Sequence, residues 1–336
     1  MRIEPFSLAL AGPLSTARGT IDTRDGFLVT IEHEGLWGVG EATPLPGWTE
    51  SLDDCRAALE RARSTDGWEN ALDALDGTPA ARHGLALALC DARSRAAGVP
   101  LYRYLGGEHR ERVPVNATIG DDTVNETVDA ATAAVERGFA ALKLKVGVQA
   151  VEDDIERIAT VREAVGPDIE LRVDANGAWS RDEARAALDG FADADLAYVE
   201  QPLSRADLVG HAELRGQVWV ALDESLATHS VECVLDTGAA DVLTLKPMVL
   251  GGPDRARAVA LAAREAGCEA VLTTTIDGAL ARAGAVHVAA SLPDPLPAGL
   301  ATADRLATDL LADPAPIEDG HAHVPQEPGN TPLEDG

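Results

Sequence analysis

Apolar and polar positions change their spacing twice along the 336-residue chain. From Ile3 to about Glu41 they alternate, as in DGFLVTIEHEG with its break at the glycine and return through LWGVGEA, which predicts antiparallel strands. Over residues 51–98, Leu and Ala recur at three- and four-residue steps in SLDDCRAALERARS and GLALALCDARSRAAG, predicting amphipathic helices. Beyond about Val113 short apolar runs (VPVNATIG, ALKLKV, IELRVDAN, LAYVEQPL, VWVALDES, DVLTLKPMV, EAVLTTT) alternate with helical stretches such as TVNETVDAATAAVERG. The polar residues ending successive runs, at 145, 174, 200, 223, 246 and 273, lie 23 to 29 residues apart, the rhythm of consecutive parallel βα units. No Gly-rich phosphate fingerprint follows the first run. Seven runs and a poorly marked eighth near Ser291 to Leu300 therefore predict an α/β fold, a TIM-type (β/α) barrel of seven or eight strands. The expected organisation is an α+β unit over 1–111, the barrel over 112–312, and a Pro-, Gly- and acid-rich tail over 313–336. The tail's HAHV is expected to return as a short strand to the N-terminal sheet and complete that domain.

Charge narrows the partners. A formal charge of −28, from 56 acidic and 28 basic residues, repels nucleic acid and anionic membranes. Only three of the basic residues are lysines, Lys143, Lys145 and Lys246. An acidic surface with lysine nearly purged resembles that of a protein from a high-salt cytoplasm, where screening suppresses self-repulsion. Cys55, Cys90, Cys233 and Cys268 form no CxxC pair, so free thiols in a reducing compartment are expected. The start, MRIEPFSLALAGPL, has no basic n-region with an adequate apolar segment, and no window approaches about 18 unbroken apolar residues. A cytoplasmic protein is the expectation. His321 and His323, without further ligands, make a weak case for zinc.

The chemistry sits at the strand ends. In ALKLKVG, Lys143 and Lys145 occupy alternate positions and point to one side, where like charges repel. The next three runs end in Asp174, Glu200 and Asp223, and the one after in Lys246. Adjacent parallel strands lie ~4.8 Å apart, so acids at one height converge and call for a cation among them. Oxygen-only donors select a hard ion, best Mg²⁺, with Mn²⁺ able to substitute. A single such acid would read as a solvent-facing strand end or helix cap; three in succession between lysines do not.

KLK at 143–145, DAN at 174–176, EQP at 200–202, LDES at 222–225 and LKP at 245–247 together resemble the enolase superfamily, in its branch with muconate cycloisomerase and o-succinylbenzoate synthase. The likeness covers nearly the whole chain, the N-terminal unit resembling that superfamily's capping domain. It implies that Asp174, Glu200 and Asp223 bind Mg²⁺ and that Lys145 and Lys246 face each other across the substrate. In such sites a lysine or histidine base works beside the metal ion. Lys145 must be neutral to take a proton α to a carboxylate, and the neighbouring Lys143 cation would help keep it so.

Further likenesses bear on the branch member. GEATPLPGWTES, 40–51, resembles the capping loop of o-succinylbenzoate synthases with Trp48 as an apolar lid residue, although a Pro-Gly turn with a buried Trp fits the same residues. TTTIDGALARAGAVHVAA resembles their serine-rich seventh-strand loop, Thr273, Thr274 and Thr275 standing where a substrate carboxylate would be received, or simply suiting a strand. Asn176 of DAN is a further candidate for substrate contact. Arg172, two residues before Asp174, faces either a second carboxylate or an internal salt bridge. Dipeptide epimerases carry an acidic pair near the eighth strand to hold an α-ammonium, whereas this chain reads PAGLATADR with Ala301 there. The resemblance thus implies Mg²⁺-dependent dehydration of 2-succinyl-6-hydroxy-2,4-cyclohexadiene-1-carboxylate to 2-succinylbenzoate, a step of menaquinone synthesis. N-succinylamino acid racemisation, muconate cycloisomerisation and a non-catalytic anion-binding barrel are the alternatives. A small-molecule carboxylate is the expected partner, with homo-oligomerisation left open.

Overall fold

The computed structural model describes residues 1–16 and 19–332. Its N-terminal part is an antiparallel sheet of β1 (Arg2–Thr16), β2 (Gly19–His33) and β3 (Leu36–Ala42) followed by helices α1 (Leu52–Arg63), α2 (Trp68–Asp73), α3 (Pro79–Ala96) and α4 (Leu101–Tyr104). Alternation along β2 buries Phe27, Val29 and Ile31, which join Leu59, Leu85 and Leu89 in one core. β3 runs against α3 so closely that a Cβ at Gly40 would lie 2.0 Å from the Gly84 carbonyl oxygen, so this strand requires glycine there. α3 is apolar nearly all round and is buried accordingly, between the sheet and the barrel helices.

The barrel takes β5 (Ala117–Ile119), β6 (Ala141–Lys145), β7 (Glu170–Asp174), β8 (Leu196–Glu200), β9 (Val220–Leu222), β10 (Val242–Leu245) and β11 (Glu269–Leu272), seven parallel strands paired in chain order. Between and after them run α5 (Val124–Glu136), α6 (Val151–Val165), α7 (Arg181–Gly190), α8 (Leu208–Leu214), α9 (Val231–Thr237), α10 (Pro247–Leu250), α11 (Pro253–Glu265) and α12 (Ala279–Ala290). Thr123 with Glu126 and Ser180 with Glu183 form capping boxes that start α5 and α7. The eighth place is filled by two residues: Gly299 N–H donates to Leu272 O (2.8 Å), while Ala298 N–H donates to Pro114 O (2.9 Å) and its carbonyl accepts from Asn116 N–H (3.0 Å). Seven strands and this short splice close the ring.

Two expectations are corrected. VPVNATIG splits: β4 (Arg112–Pro114) leaves the barrel, and only Ala117–Ile119 joins it. HAHV supplies β13 (His321–His323), which pairs with β4 and with β12 (Ile317–Glu318), not with the N-terminal sheet. The chain beyond it reaches the N-terminal helices, where Leu101 N–H donates to Gly329 O and Asn330 N–H to the Asp91 carboxylate. His321 and His323 bond to Asp319 O and Glu318, not to a shared centre. The four cysteines are free thiols, and no helix among the described residues is long and apolar enough to cross a membrane.

Candidate active site

All three lysines of the chain end at one place. Lys143 Nζ lies 2.9 Å from Glu200 Oε1 and 3.2 Å from Asp174 Oδ2, and Lys145 Nζ lies 2.7 Å from Asp174 Oδ2 and 2.7 Å from Asn176 Oδ1. Lys246 Nζ holds both carboxylate oxygens of Asp223. Strand order explains the grouping, because β6 through β10 present consecutive C-terminal ends on one rim. Lys145 and Lys246 follow strands four places apart in a ring of eight and therefore stand on opposite sides.

The lysines differ in access. Lys145 keeps 33% of its side chain exposed against 13% for Lys143 and 9% for Lys246. Burial alone would lower the Lys143 pKa, but the Glu200 and Asp174 carboxylates outweigh it and hold that ammonium well above the ordinary lysine range. Lys143 is thus a fixed counter-ion, and Lys145 is the accessible amine. Among the acids, burial opposes ionisation throughout. Lys143 and Lys145 overcome it at Asp174, whose pKa is lowered, whereas at Glu200 burial prevails and at Asp223 it lifts the carboxyl to about 6 despite Lys246.

Glu224, beside Asp223, adds a fourth acid that accepts from Asn176 Nδ2 at 2.9 Å. Four carboxylates thus face three ammonium groups, and Oε2 of both Glu200 and Glu224 is buried without a hydrogen-bond partner. That oxygen-rich, net-negative donor set fits a hard divalent cation. As they stand, no three Asp, Glu, His or Cys side chains among the described residues are drawn close enough around one point to hold an ion. The ammonium groups lie between the carboxylates and would have to give way.

Other expected residues divide. Trp48 joins the site: its ring centroid lies 3.6 Å from Lys246 Nζ, placing the 43–51 loop over the barrel mouth. Asn176 joins it through Lys145. Arg172 does not, since its buried guanidinium donates to Glu170 (2.5 Å), Pro297 O (2.6 Å) and Tyr198 OH (3.1 Å) lower in the barrel. It is an interior strut, not a substrate contact. Thr273 donates to the Gly299 carbonyl (3.0 Å), and Thr275 donates to Asp277 and accepts from Arg24, so both hydroxyls are engaged within the protein. Thr274 pairs with Thr302 across the β11 end (3.2 Å).

The motifs also contained residues whose part was not foreseen. Gln201, fully buried, accepts from the amides of Asp223 and Ser225 (3.1 Å each) and donates to Ser225 Oγ (2.9 Å), clamping the LDES turn. Asn176, Gln201 and Ile276 follow β7, β8 and β11 with φ of 46°, 41° and 59°, a conformation uncommon for Gln and more so for β-branched Ile.

Comparison with known proteins agrees with this arrangement. Residues 126–331 match the family model "Enolase C-terminal domain-like", and residues 4–92 match "MenC, N-terminal domain". The chain belongs to the enolase superfamily. It is 33% identical over 288 residues to a hydrophobic dipeptide epimerase of Enterococcus faecalis, covering 81% of this chain and 80% of that one. It is 29% identical to a chloromuconate cycloisomerase of Cupriavidus necator (97% and 94% covered) and 27% identical to an N-succinyl-L-Arg/Lys racemase of Bacillus cereus (84% and 81%). The crystal structure of the dipeptide epimerase from E. faecalis, complexed with Mg and L-Leu-L-Tyr, superposes with a TM-score of 0.88 at 29% identity, covering 98% of both chains. The superfamily fold is thereby shared from end to end.

Proposed function

We propose that this enolase-superfamily chain is a Mg²⁺-dependent enzyme that removes the proton α to a carboxylate from a small substrate bearing a succinyl group. The carrying observation is the opposed pair, Lys145 at the end of β6 and Lys246 after β10, on either side of Asp174, Glu200 and Asp223. Those three acids would hold the ion, which when bound stabilises charge developing on the substrate carboxylate. Lys145, the exposed amine, takes the proton, with Asn176 and Asp174 fixing its Nζ. Lys143, locked on Glu200 and Asp174, stays charged and serves as their fixed counter-ion. Lys246, beneath Trp48, faces the other side, and the Trp48 loop excludes water.

For the outcome, the relatives support racemisation best, an amine on each face allowing the proton to leave one side and return on the other. A succinylated amino acid suits this chain better than a dipeptide, because 297–305 offers no acid pair for a free α-ammonium. A second reading, o-succinylbenzoate synthesis by loss of water, is favoured by the N-terminal family match and the Trp48 loop. There Lys145 removes the proton and assists departure of hydroxide, and Lys246 stabilises the charged intermediate.

Turnover of N-succinylamino acids, of the cyclohexadiene acid and of muconate by the metal-loaded protein, with NMR of solvent deuterium at the α carbon, tests both readings. Under racemisation, Lys145→Ala and Lys246→Ala each abolish interconversion while one retains exchange with a single enantiomer. Under dehydration, Lys145→Ala loses exchange and product together. Undiminished turnover by Lys145→Ala refutes the proposal in either form.

A further inference from the structure

Arg24 lies on β2, outside every motif above, and is 2% exposed. Its guanidinium is fully engaged. On one side Nη2 donates to Thr43 O (3.0 Å) and Nη1 to Pro44 O (3.2 Å), the first residues of the loop that carries Trp48. On the other side Nε donates to Ile276 O (3.1 Å), Nη2 reaches Thr275 Oγ1 (3.4 Å), and Asp277 Oδ1 is 3.7 Å away, all in the segment after β11. One planar fork therefore joins the capping loop to the strained seventh-strand loop. Only an arginine supplies that many donors in one rigid geometry. The loop's root is held separately, by the Glu41 carboxylate accepting from the amides of Gly278 and Ala281. The loop's far end is tied to α3, where Glu50 accepts from the Ala80 and Ala81 amides (3.1 and 2.8 Å); the turn between has bonds within itself, such as Leu45 N–H to Thr49 Oγ1 (2.8 Å), and contact with Lys246 through Trp48.

We infer that Arg24 is a positioning residue for specificity: it sets the height of Trp48 over Lys246 and so the room left for the substrate. The inference rests on the reading of this rim as the active site, but its placement of Trp48 can be measured without turnover. Arg24→Lys keeps a cation beside Asp277 and removes the fork. In protein labelled with 5-fluorotryptophan, with the Trp48 signal assigned through Trp48→Phe, Arg24→Lys is expected to shift or broaden that resonance and leave Trp179, buried against Phe191 beyond β7, unmoved. For whichever substrate the protein turns over, KM should rise about tenfold or more with kcat within about threefold, because the chemical groups stay in place. An unmoved Trp48 resonance overturns the inference whether or not the enzyme's reaction has been identified correctly. If Arg24→Lys fails to fold, hydrogen exchange of the unaltered protein decides. Amides of the turn at 45–49 and of 276–278 should then open together, with protection within about tenfold, whereas a turn that exchanges more than about a hundredfold faster than 276–278 is not pinned by Arg24.

Discussion

Glu41 carries a pH dependence whose size follows from its surroundings. The carboxyl is fully buried at the end of β3; burial first, and the Asp277 carboxylate second, push it from 4.5 up to about 7, against hydrogen bonds from Thr43 and the Ala281 and Gly278 amides that favour ionisation. Between those two values the folded protein keeps a proton that the unfolded chain has lost. The resulting stabilisation is complete below about 4.5 and disappears as the pH rises through about 7. Roughly two and a half pH units at ~1.4 kcal/mol each amount to on the order of 3 kcal/mol.

The charged groups facing Glu41 are Arg24 from β2 and Asp277 ahead of α12, while His83 of α3 bonds to its carbonyl. Burial lowers the His83 pKa, so its contribution has the opposite sign, present above the ordinary 6.5 and lost as the pH falls. A stability curve of the unaltered protein mixes the two. Its difference from Glu41→Gln isolates the carboxyl, since glutamine keeps the shape and an acceptor without titrating. Urea unfolding of both proteins at constant molar salt is the assay. Glu41→Gln should gain about 2.5 kcal/mol relative to the unaltered protein between about pH 5 and pH 8, most of it below about pH 7. A difference flat across that range would mean that Glu41 is ionised throughout, and would refute the reasoning.

Chelation followed by dialysis should abolish activity, and isothermal titration of Mg²⁺ into that protein should show one site, lost in Asp174→Asn; full turnover without metal would sink the ligand assignment. With a charge of −28, thermal melts should rise steeply from low to molar salt, where the screening length falls to ~3 Å, and an unchanged midpoint would defeat the salt-adapted reading. Lys145→Arg and Lys246→Arg should fold with near-normal melting points yet lose racemisation or dehydration, as read by polarimetry or product absorbance.

What the sequence revealed followed periodicity. The strand ends were legible because buried parallel strands are short, mainly apolar runs, and the polar residue that stops each, Asp174 or Glu200, lies at the C-terminal rim. The eighth place was not, since Ala298 and Gly299 close the ring through backbone bonds that leave no side-chain pattern. Nothing in HAHV selects β4 over another edge. For Arg172 the face was legible but not which of its two readings held: two residues before Asp174 is ~6.6 Å down the strand, where it makes the internal salt bridge to Glu170 and donates to Pro297 O. Arg24 and Glu41 are single polar residues in strand patterns, with partners some 250 and 240 residues away along the chain.

The lysine count and the site explain each other. A chain that meets almost every need for positive charge with arginine retains lysine at three positions, each paired with a carboxylate of one cluster, Lys143 with Asp174 and Glu200, Lys145 with Asp174 and Lys246 with Asp223. Arginine would serve as well, or better, for charge pairing, because its fork binds a carboxylate bidentately and never loses its proton. Only that last property disqualifies it. A base must give up its proton to take one from carbon, and an ammonium can do so where a guanidinium cannot. Under the proposed function, this would account for the choice at Lys145 and Lys246. Lys143 is different, since it holds its proton tightly between Glu200 and Asp174; there a compact point charge fits between two carboxylates where a planar fork would push them apart. Lysine is thus confined to the cluster of Asp174, Glu200 and Asp223, where the proposed function needs an amine that can release its proton.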